Sequence, residues 1–295
     1  MFSTEVLNFG SLNIDHVYRV PHFAAPGETL SCLNYSVFAG GKGLNQSIAL
    51  ARAGVKTAHA GKIGHDGGFL IETLKEAGVD TQFVLEGETP TGHASIQVDS
   101  AGQNSILLYP GSNCDISETE ILSVLEQQIP GTWLMLQNEI NSIPFLMREA
   151  HKRGLRIAIN PAPCTDAVKD YPLELAELLF VNEIEAAQLS GSSGSFDEIA
   201  DRLVKQYPSL KIVMTLGGAG AIYRCGKEFH FEPAMSSEVV DTTSAGDTFC
   251  GYFLSSLMKG FSPADAMKFA AKAASVTVSR PGAAQSIPLA SEIFH

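Results

Sequence analysis

Cysteine and tryptophan are scarce in this chain of 295 residues, which contains five cysteines and one tryptophan. The cysteines are odd in number, far apart and without any C-x-x-C pair: Cys32, Cys114, Cys164, Cys225 and Cys250. This spacing argues against a disulfide framework and against a zinc site. We therefore expect reduced thiols, most of them buried.

Positive charge is also scarce. Lysine and arginine together number 20 against 32 aspartate and glutamate residues, so the net charge is −12, and no basic cluster occurs. Nucleic acids and anionic membranes are bound through such clusters, so neither is an expected partner. No apolar run approaches the roughly 20 residues of a membrane-spanning helix. Residues 1–10 do not resemble a signal peptide, and the expected location is the cytoplasm.

The chain instead alternates short apolar segments with helical ones. Strand-like segments at 6–12, 58–63, 133–137, 156–160, 178–181 and 211–216 alternate with helical segments at 44–53, 68–77, 121–128 and 143–152. Helix-capping signals occur at Ser117, Ser195 and Ser262. This alternation predicts a mainly parallel sheet covered by helices on both faces, in a single α/β domain spanning residues 1–295.

Two stretches, residues 16–39 and 92–109, interrupt the alternation. Both have the period-two pattern of strands and no helix between them. We interpret them as one small antiparallel sheet, a discontinuous lid at about 14–40 and 91–110 that projects from the main sheet. Such a sheet has open edges and an apolar face, so we expect it to pair with a second copy in a homodimer.

The most informative segment spans residues 239–253, where a run of small residues at 243–246 precedes an apolar helix. The free N–H groups and the positive end of such a helix can hold a phosphate. Asp247 begins the same helix, where a carboxylate either caps the helix or acts as a base toward a hydroxyl beside the phosphate. Considered alone, capping is the more common role.

This segment resembles the C-terminal signature of the ribokinase-like, or pfkB-type, carbohydrate kinases, in which the last aspartate, here Asp247, is the catalytic base. Other segments stand in the family's order along the chain, at 10–15, 26–29, 40–46, 91–92, 137–139, 160–163, 182–185, 215–218 and 285–288. The resemblance implies a three-layer α/β/α sandwich with a β lid. It also implies transfer of the γ-phosphoryl group of ATP to the primary hydroxyl of a sugar.

Within the family, the paired glycines before Lys42, the Asn-Pro-Ala-Pro run at 160–163 and the C-terminal segment are similar to those of ribokinases. The expected acceptor is therefore D-ribose, with deoxyribose, another sugar or a nucleoside as the alternative. The sugar-binding residues that the resemblance implies are Asn13, Asp15, Gly41, Lys42, Gly43, Asn45, Glu139 and Asp247. Without it, residues 40–43 are an ordinary glycine-rich turn, and they are not a Walker loop.

The resemblance also assigns the other ligands. The implied nucleotide-binding residues are Asn182, Thr215, Gly217, Gly218, Gly220 and Gly246, and the amides of Ala245, Gly246 and Asp247 would bind the transferring phosphoryl group. Glu185 is similar to the family's magnesium residue, which acts largely through water, in keeping with the waters that Mg²⁺ retains. A capping pair formed by Asn182 and Glu185, and a hairpin turn at 215–220, are alternative interpretations.

A monovalent cation, K⁺, is expected as an activator. The segment 277–286 resembles the loop that encloses such a cation in ribokinases. The implied ligands are Asp241, Thr243, Thr277, Arg280, Gly282 and Ser286.

Three departures from the family pattern bear on specificity. Leu44 stands where alanine is common beside the sugar loop, and Ala270 with Ala271 stands where relatives have asparagine or histidine near the adenine. Pro281 and Ala284 alter the cation loop.

Two other function classes are less consistent with the sequence. A nicotinamide dehydrogenase would have G-x-G-x-x-G after its first strand, and a non-catalytic sugar sensor would have lost the base or the phosphate loop.

Overall fold

The structure, a computed structural model, describes residues 4–294, and the elements given below are those of that part of the chain. Its strands are β1 (Val6–Phe9), β2 (Asn13–Arg19), β3 (Asn34–Gly40), β4 (Thr57–Ile63), β5 (Asp80–Glu86), β6 (Gly92–Val98), β7 (Asn104–Tyr109), β8 (Trp133–Gln137), β9 (Arg156–Asn160), β10 (Leu178–Asn182), β11 (Lys211–Thr215), β12 (Ala221–Cys225) and β13 (Glu228–Glu232).

The helices are α1 (Lys42–Arg52), α2 (Gly68–Glu76), α3 (Glu118–Leu125), α4 (Ile143–Lys152), α5 (Glu183–Ser190), α6 (Phe196–Gln206), α7 (Ala245–Met258), α8 (Pro263–Val278) and α9 (Ala290–Ile293). The predicted caps are present: Ser117 and Ser195 form capping boxes, and Ser262 accepts the amide of Asp265 at 3.1 Å. Each satisfies an amide of the first helical turn that has no partner within the helix.

The main sheet has the strand order β13-β12-β11-β10-β9-β8-β1-β4-β5. Neighbouring strands are parallel from β11 to β5, and only the β11–β12 and β12–β13 pairs are antiparallel. Because successive strand residues point to opposite faces, Val6 and Leu7 enter two different hydrophobic cores. The first core includes α1, α2, α7 and α8, and the second includes α3, α4, α5 and α6. The predicted three-layer α/β/α sandwich is therefore confirmed.

The second sheet has four strands in the order β3-β2-β6-β7. The β2–β3 and β6–β7 pairs are antiparallel, as expected for hairpin-like strands. The central β2–β6 pair is parallel, so the small sheet is antiparallel only within its two outer pairs, and not throughout as expected from the sequence. The sheet joins the main sheet where β1 runs into β2 and where β3 runs into α1, so the carboxyl edge of the main sheet meets the base of the small one.

All five cysteines are free, in agreement with the sequence, but the expectation that most are buried is wrong. Cys32 and Cys114 are exposed, Cys164 and Cys225 are half-buried, and only Cys250 is buried. Cys32 and Cys164 lie in loops, Cys114 ends a short 3₁₀ turn and Cys225 ends β12, so none of these four thiols is fully covered. No helix within residues 4–294 is both long and apolar enough to cross a membrane.

Candidate active site

The amino end of α1 is capped by side chains from elsewhere in the chain. Gly41 is its N-cap residue and offers no side chain. Glu139 Oε2 accepts the amide of Lys42 at 2.9 Å, and Ser11 Oγ accepts the amide of Gly43 at 3.1 Å. Ser11 Oγ in turn donates to Glu139 Oε2 at 2.5 Å. Glu139, which the resemblance assigns to the sugar, therefore also holds the glycine-rich segment in place.

Asn13 and Asp15 lie at the start of β2, beside this helix end. Asn13 is buried, and its Oδ1 accepts a hydrogen bond from Asn113 Nδ2 at 2.7 Å. Asp15 is half-buried. Desolvation, together with the nearby charge of Glu139, raises the pKa of the Asp15 carboxyl to about 7. A half-buried carboxyl that ionises near neutral pH is typical of a functional position.

Asp247 is the third residue of α7 and is only 7% exposed. Its Oδ2 accepts a hydrogen bond from Asn45 Nδ2 at 3.3 Å, and its Oδ1 accepts one from Gln46 Nε2 at 2.9 Å. The helices approach closely because α7 has a glycine at the crossing: a Cβ on Gly251 would lie 2.5 Å from the Cβ of Ala49. The structure thus brings together Asn45 and Asp247, both of which the resemblance assigns to the sugar site. It also places Gln46 beside Asp247.

The first turn of α7 forms the candidate phosphate site. Ser244, its N-cap residue, has a left-handed conformation with φ of 62° and offers no capping hydrogen bond. The amides of Gly246 and Asp247 belong to the helical turn whose N–H groups have no acceptor within the helix. Gly246 is exposed, and the space where its Cβ would lie is open. These amides can therefore receive an anion from solvent.

Lys42 supplies the positive charge at the centre of the site. The negative charge of Asp247 raises the pKa of the Lys42 ammonium, against the effect of burial and with further contributions from Glu139 and Glu185. The lysine thus remains charged among three carboxylates, and such a charge can offset that of an incoming phosphate. Lys42 is half-buried, so residues 40–43 are not an ordinary glycine-rich turn with a solvated lysine.

A cleft of about 670 Å³ opens in front of the first turn of α7. Residues predicted to bind nucleotide line it: Thr215, Gly217, Gly218, Gly220 and Gly246. The 215–220 segment is also the β11–β12 hairpin connection, a short 3₁₀ turn at Gly217–Ala219. Phe249 and Val278 add apolar walls. A cleft of this size, with mostly apolar walls and a helix end at one side, suits a nucleotide.

Of the positions that depart from the family pattern, Leu44, Ala270 and Ala271 differ from one another in their surroundings. Ala271 lines the cleft, whereas Ala270 is fully buried in the core. Leu44 is also fully buried, in the core that contains Ile48. Its extra bulk is therefore accommodated by the core, which weakens the expectation that it alters the sugar site.

Asn182 and Glu185 form the capping pair that their spacing allows. Asn182 Oδ1 accepts the amide of Glu185 at 2.8 Å, and Glu185 Oε2 accepts the amide of Asn182 at 2.9 Å. Burial raises the pKa of the Glu185 carboxyl, as does the charge of Asp247, while Lys42 acts to lower it. Asn182 is paired in register with Thr215, so α5 begins beside the nucleotide cleft. Residues 4–294 contain no cluster of three or more metal-ligating side chains.

The predicted cation residues are only partly brought together. Asp241 Oδ1 accepts the amide and hydroxyl of Thr243 at 2.9 and 2.6 Å, and Asp241 Oδ2 accepts the amide of Gly282 at 3.1 Å. Burial acts to raise the pKa of Asp241, but the hydrogen bonds from Thr243 and Gly282 outweigh it and hold the pKa below its ordinary value. A charged carboxylate is thereby fixed against the loop.

The other three side chains of that set are engaged elsewhere. The Thr277 hydroxyl donates to Ala273 O at 3.1 Å, the Ser286 hydroxyl donates to Ala283 O at 2.7 Å, and Arg280 pairs with Glu292. Arg280 therefore has only its backbone carbonyl to offer a cation, whereas the Thr277 and Ser286 hydroxyl oxygens keep their lone pairs.

Four residues that shape the site were not predicted. Ser11 caps α1 and Gln46 binds Asp247. Asn113 holds the segment between β1 and β2 by accepting the Leu12 amide at 2.9 Å. Arg52 donates to the carbonyls of Ala284 and Ile287 at 2.8 and 2.6 Å, which anchors the end of the cation loop. Gln46 lies within a recognised motif, but Asn113 and Arg52 carry no local signal.

Comparison with known proteins agrees with this arrangement. The model of the pfkB family carbohydrate kinases matches residues 3–290. The chain belongs to this family. Ribokinase of Staphylococcus aureus is 35% identical over 304 residues, which cover 99% of this chain and 99% of that relative.

Two solved pfkB-family structures are also similar over the whole fold. Ribokinase of Cryptococcus neoformans in complex with ADP has a TM-score of 0.85 and 34% identity, covering 99% of each chain. Ribokinase of Arabidopsis thaliana complexed with ribose and ATP has a TM-score of 0.88 and 28% identity, covering 99% of this chain and 97% of that one. The chain is thus a carbohydrate kinase of the pfkB family, a phosphotransferase that acts on an alcohol group.

Proposed function

We propose that this protein transfers the γ-phosphoryl group of ATP to the primary hydroxyl of D-ribose, giving ribose 5-phosphate and ADP. The observation that carries the proposal is the position of Asp247. It is buried at the first turn of α7, with Asn45 on one side and the nucleotide cleft on the other. The Arabidopsis relative, solved with ribose and ATP, supports the choice of ligands.

Asp247 acts as the general base. The sugar hydroxyl is a weak nucleophile at neutral pH, so a carboxylate that accepts its proton accelerates attack by about 10²- to 10⁴-fold. As the hydroxyl oxygen bonds to the γ-phosphorus, the bond from that phosphorus to the bridging oxygen of ATP breaks. The electron pair leaves with ADP, and the proton resides on Asp247 until it is released to solvent.

The transferring group is stabilised electrostatically. The amides of Gly246 and Asp247 and the positive end of α7 face the place where charge develops, and Lys42 lies next to it. The Ala245 amide, which the resemblance includes, instead donates to Thr242 O at 3.3 Å. Charge stabilisation of this kind is commonly the largest single contribution to phosphoryl transfer.

The carboxylates present fit magnesium. Glu185 uses its Oε2 to accept the Asn182 amide of the cap, and it lies near Asp247 and Lys42. Mg²⁺ usually keeps several waters and takes one or two carboxylates plus substrate phosphates. Bound there, it would offset phosphate charge, and Glu185 would hold it through water.

The cation loop fits potassium. The Asp241 carboxylate is fixed against Gly282, and the carbonyls of Thr277, Arg280 and Ser286 belong to the same segment. A carboxylate with several carbonyls suits a large, weakly hydrated cation, and Thr243 completes the set. Occupation of this loop would steady Asp241 six residues before Asp247, so K⁺ is proposed as an activator.

The second sheet is proposed to act as a lid over the sugar and to mediate a homodimer. Asp15 faces the sugar from one side of β2, and strand register places Tyr35, Val37, Leu107 and Tyr109 on the opposite side. Leu107 is 75% exposed. Clustered exposed apolar side chains of this kind mark protein interfaces. Light scattering should give twice the 31.5 kDa of one chain, and Leu107→Lys should give the monomer.

Substrate profiling tests the proposed function. ATP-dependent ADP formation is measured across D-ribose, deoxyribose, hexoses and nucleosides, with and without KCl at constant ionic strength. We expect the highest kcat/KM with D-ribose and stimulation by K⁺. Turnover with hexoses or nucleosides but with no pentose would refute the ribose assignment and leave a kinase of the same family acting on another acceptor.

A further inference from the structure

A chain of buried amide side chains lies behind Asp247, on the side away from Asn45. Gln46 Nε2 donates to Asp247 Oδ1 at 2.9 Å and to Asn160 Oδ1 at 3.2 Å. Gln46 Oε1 accepts from Gln137 Nε2 at 2.6 Å, and Gln137 Nε2 also donates to Asn8 Oδ1 at 2.9 Å. Gln46, Gln137 and Asn8 are fully buried. Buried amides without a functional role are costly unless every group is paired.

The sheet register assembles this chain. Gln137 and Asn160 end the adjacent parallel strands β8 and β9 and are paired in register. Asn8 lies on the next strand, β1, which is parallel to β8. Gln46, on α1, bonds to Gln137 and Asn160 and is linked to Asn8 through Gln137. The same carboxyl edge that forms the ligand site thus supplies a polar layer beneath it.

Two backbone carbonyls fix the direction of every amide in the chain. Asn8 Nδ2 donates to Gly43 O at 2.7 Å, and a carbonyl can only accept, so Asn8 Oδ1 is left to accept from Gln137. Gln137 must then donate to Gln46, which turns the Gln46 amide nitrogen toward Asp247. Asn160 is fixed independently, because its Nδ2 donates to Phe180 O at 3.0 Å.

We propose that Gln46 is a positioning residue for the base, held by Gln137 and Asn8 so that it always presents an N–H group to Asp247 Oδ1. This inference rests on the proposed function, in which Asp247 is the base. With Oδ1 bound by Gln46, Oδ2 is the oxygen that faces Asn45 and remains for the sugar hydroxyl. The amide chain therefore selects which carboxylate oxygen takes the proton.

The charged and titratable groups around Asp247 do not orient its carboxylate in the way that Gln46 does. The ionisable groups that interact with Asp247 from the packed elements are Lys42 on α1, Glu139 after β8, Glu185 on α5 and Cys250 on α7. Lys42 is positive, but it also serves Glu139 and Glu185. Burial raises the pKa of the Cys250 thiol well above its ordinary range, so this thiol is neutral. A neutral donor aimed at one oxygen orients the carboxylate without removing its charge.

The test uses Gln46→Met, which keeps the length of the side chain and removes the donor, and Gln46→Glu, which replaces the donor by an acceptor. For Gln46→Met we expect kcat to fall about 10- to 100-fold, as for loss of a hydrogen bond to a charged group. The acidic limb of the pH–kcat profile should move to higher pH, and further in Gln46→Glu, because a like charge faces the base. KM for ATP should stay within about twofold of wild type.

The matched control is Ser256→Ala, which removes another buried hydrogen bond of α7, the one from Ser256 Oγ to Tyr252 O at 2.7 Å. It should change stability but neither kcat nor the pH profile. If Gln46→Met does not fold, Gln137→Met carries the test, since it frees the Gln46 amide to rotate and should give a smaller fall in kcat with the same direction of pH shift. Unchanged kcat and pH profile in the folded variants would overturn the inference.

Failure of the inference can be told apart from failure of the proposed function by including Asp247→Asn. An inactive Asp247→Asn enzyme together with a wild-type pH profile in the Gln46 variants would reject only the positioning role. An active Asp247→Asn enzyme would reject the base itself, and the positioning role with it.

Discussion

Gly40 and Asp15 are diagonal neighbours on strands β3 and β2, and the Asp15 carboxylate occupies the space that a side chain on Gly40 would need. A Cβ built on Gly40 would lie 2.1 Å from Asp15 Oδ2. The carboxylate is the movable end of its side chain, so a larger residue would displace it rather than disrupt the sheet. The glycine therefore sets the position of the carboxylate that we propose binds the sugar.

Gly40→Ala should accordingly impair sugar binding with little effect on stability. We expect KM for the sugar to rise about 10- to 100-fold, as when a hydrogen bond to a charged group is lost. KM for ATP and the melting temperature should change little. Steady-state kinetics and a thermal melt check this, with Gly68→Ala as control, because the space where the Cβ of that residue would lie is open. Unchanged sugar KM would contradict the placement.

The raised pKa of Asp15 predicts a pH dependence of sugar binding. Its carboxyl has a pKa of about 7 in the ligand-free protein, so it is largely neutral below that pH and charged above it. The charged form is the stronger acceptor of hydroxyl hydrogens. We expect kcat/KM for the sugar to rise through about pH 7, and Asp15→Asn to lower it and remove this rise. A wild-type profile that is flat from pH 6 to 8 would refute the prediction.

His59 predicts a pH dependence of stability. Complete burial lowers its pKa from 6.5 to about 3, so the unfolded chain binds one more proton than the folded one between those values. Stability conferred by the neutral imidazole is thus fully present above pH 6.5 and is lost as pH falls toward 3. The contribution to the slope is at most about 1.4 kcal/mol per pH unit.

His59→Asn provides the measurement, since asparagine retains an acceptor for the Ser47 hydroxyl, which lies 2.8 Å from His59 Nδ1. The variant is expected to be less stable overall, but its free energy of unfolding should fall less steeply from pH 6.5 to 4.5. Asp15 contributes a slope of opposite sign over this whole range, equally in both proteins, so the difference isolates His59. Parallel curves from denaturant titrations would be inconsistent with a neutral buried imidazole.

The interior of the fold could be predicted from the sequence because its strands are uninterrupted apolar runs. β8 and β9 were predicted residue for residue, as was α4. The edge strands β5 (DTQFVLE) and β13 (EFHFE) were missed, because polar and charged residues interrupt both and leave no apolar run. The parallel pairing of β2 with β6 is decided by how distant hairpins meet, which local pattern does not encode.

The candidate site was predictable where a motif places chemistry within a few residues. Asn45 and Asp247 illustrate this, since both stand in segments similar to the family's motifs and the structure brings them within 3.3 Å. Gln46 and Arg52 could not be assigned, because the partner of a buried amide or guanidinium depends on strand register and loop path. Gln46 acquires its meaning only once Gln137 and Asn160 are paired across β8 and β9.

The most direct test of the account is the turnover of Asp247→Asn. Asparagine preserves the size of the side chain and the start of α7 but cannot accept the sugar's proton. We expect kcat to fall by two or more orders of magnitude, while calorimetry still detects sugar and nucleotide binding. Turnover close to wild type in a folded Asp247→Asn enzyme would contradict the assignment of Asp247 as the base.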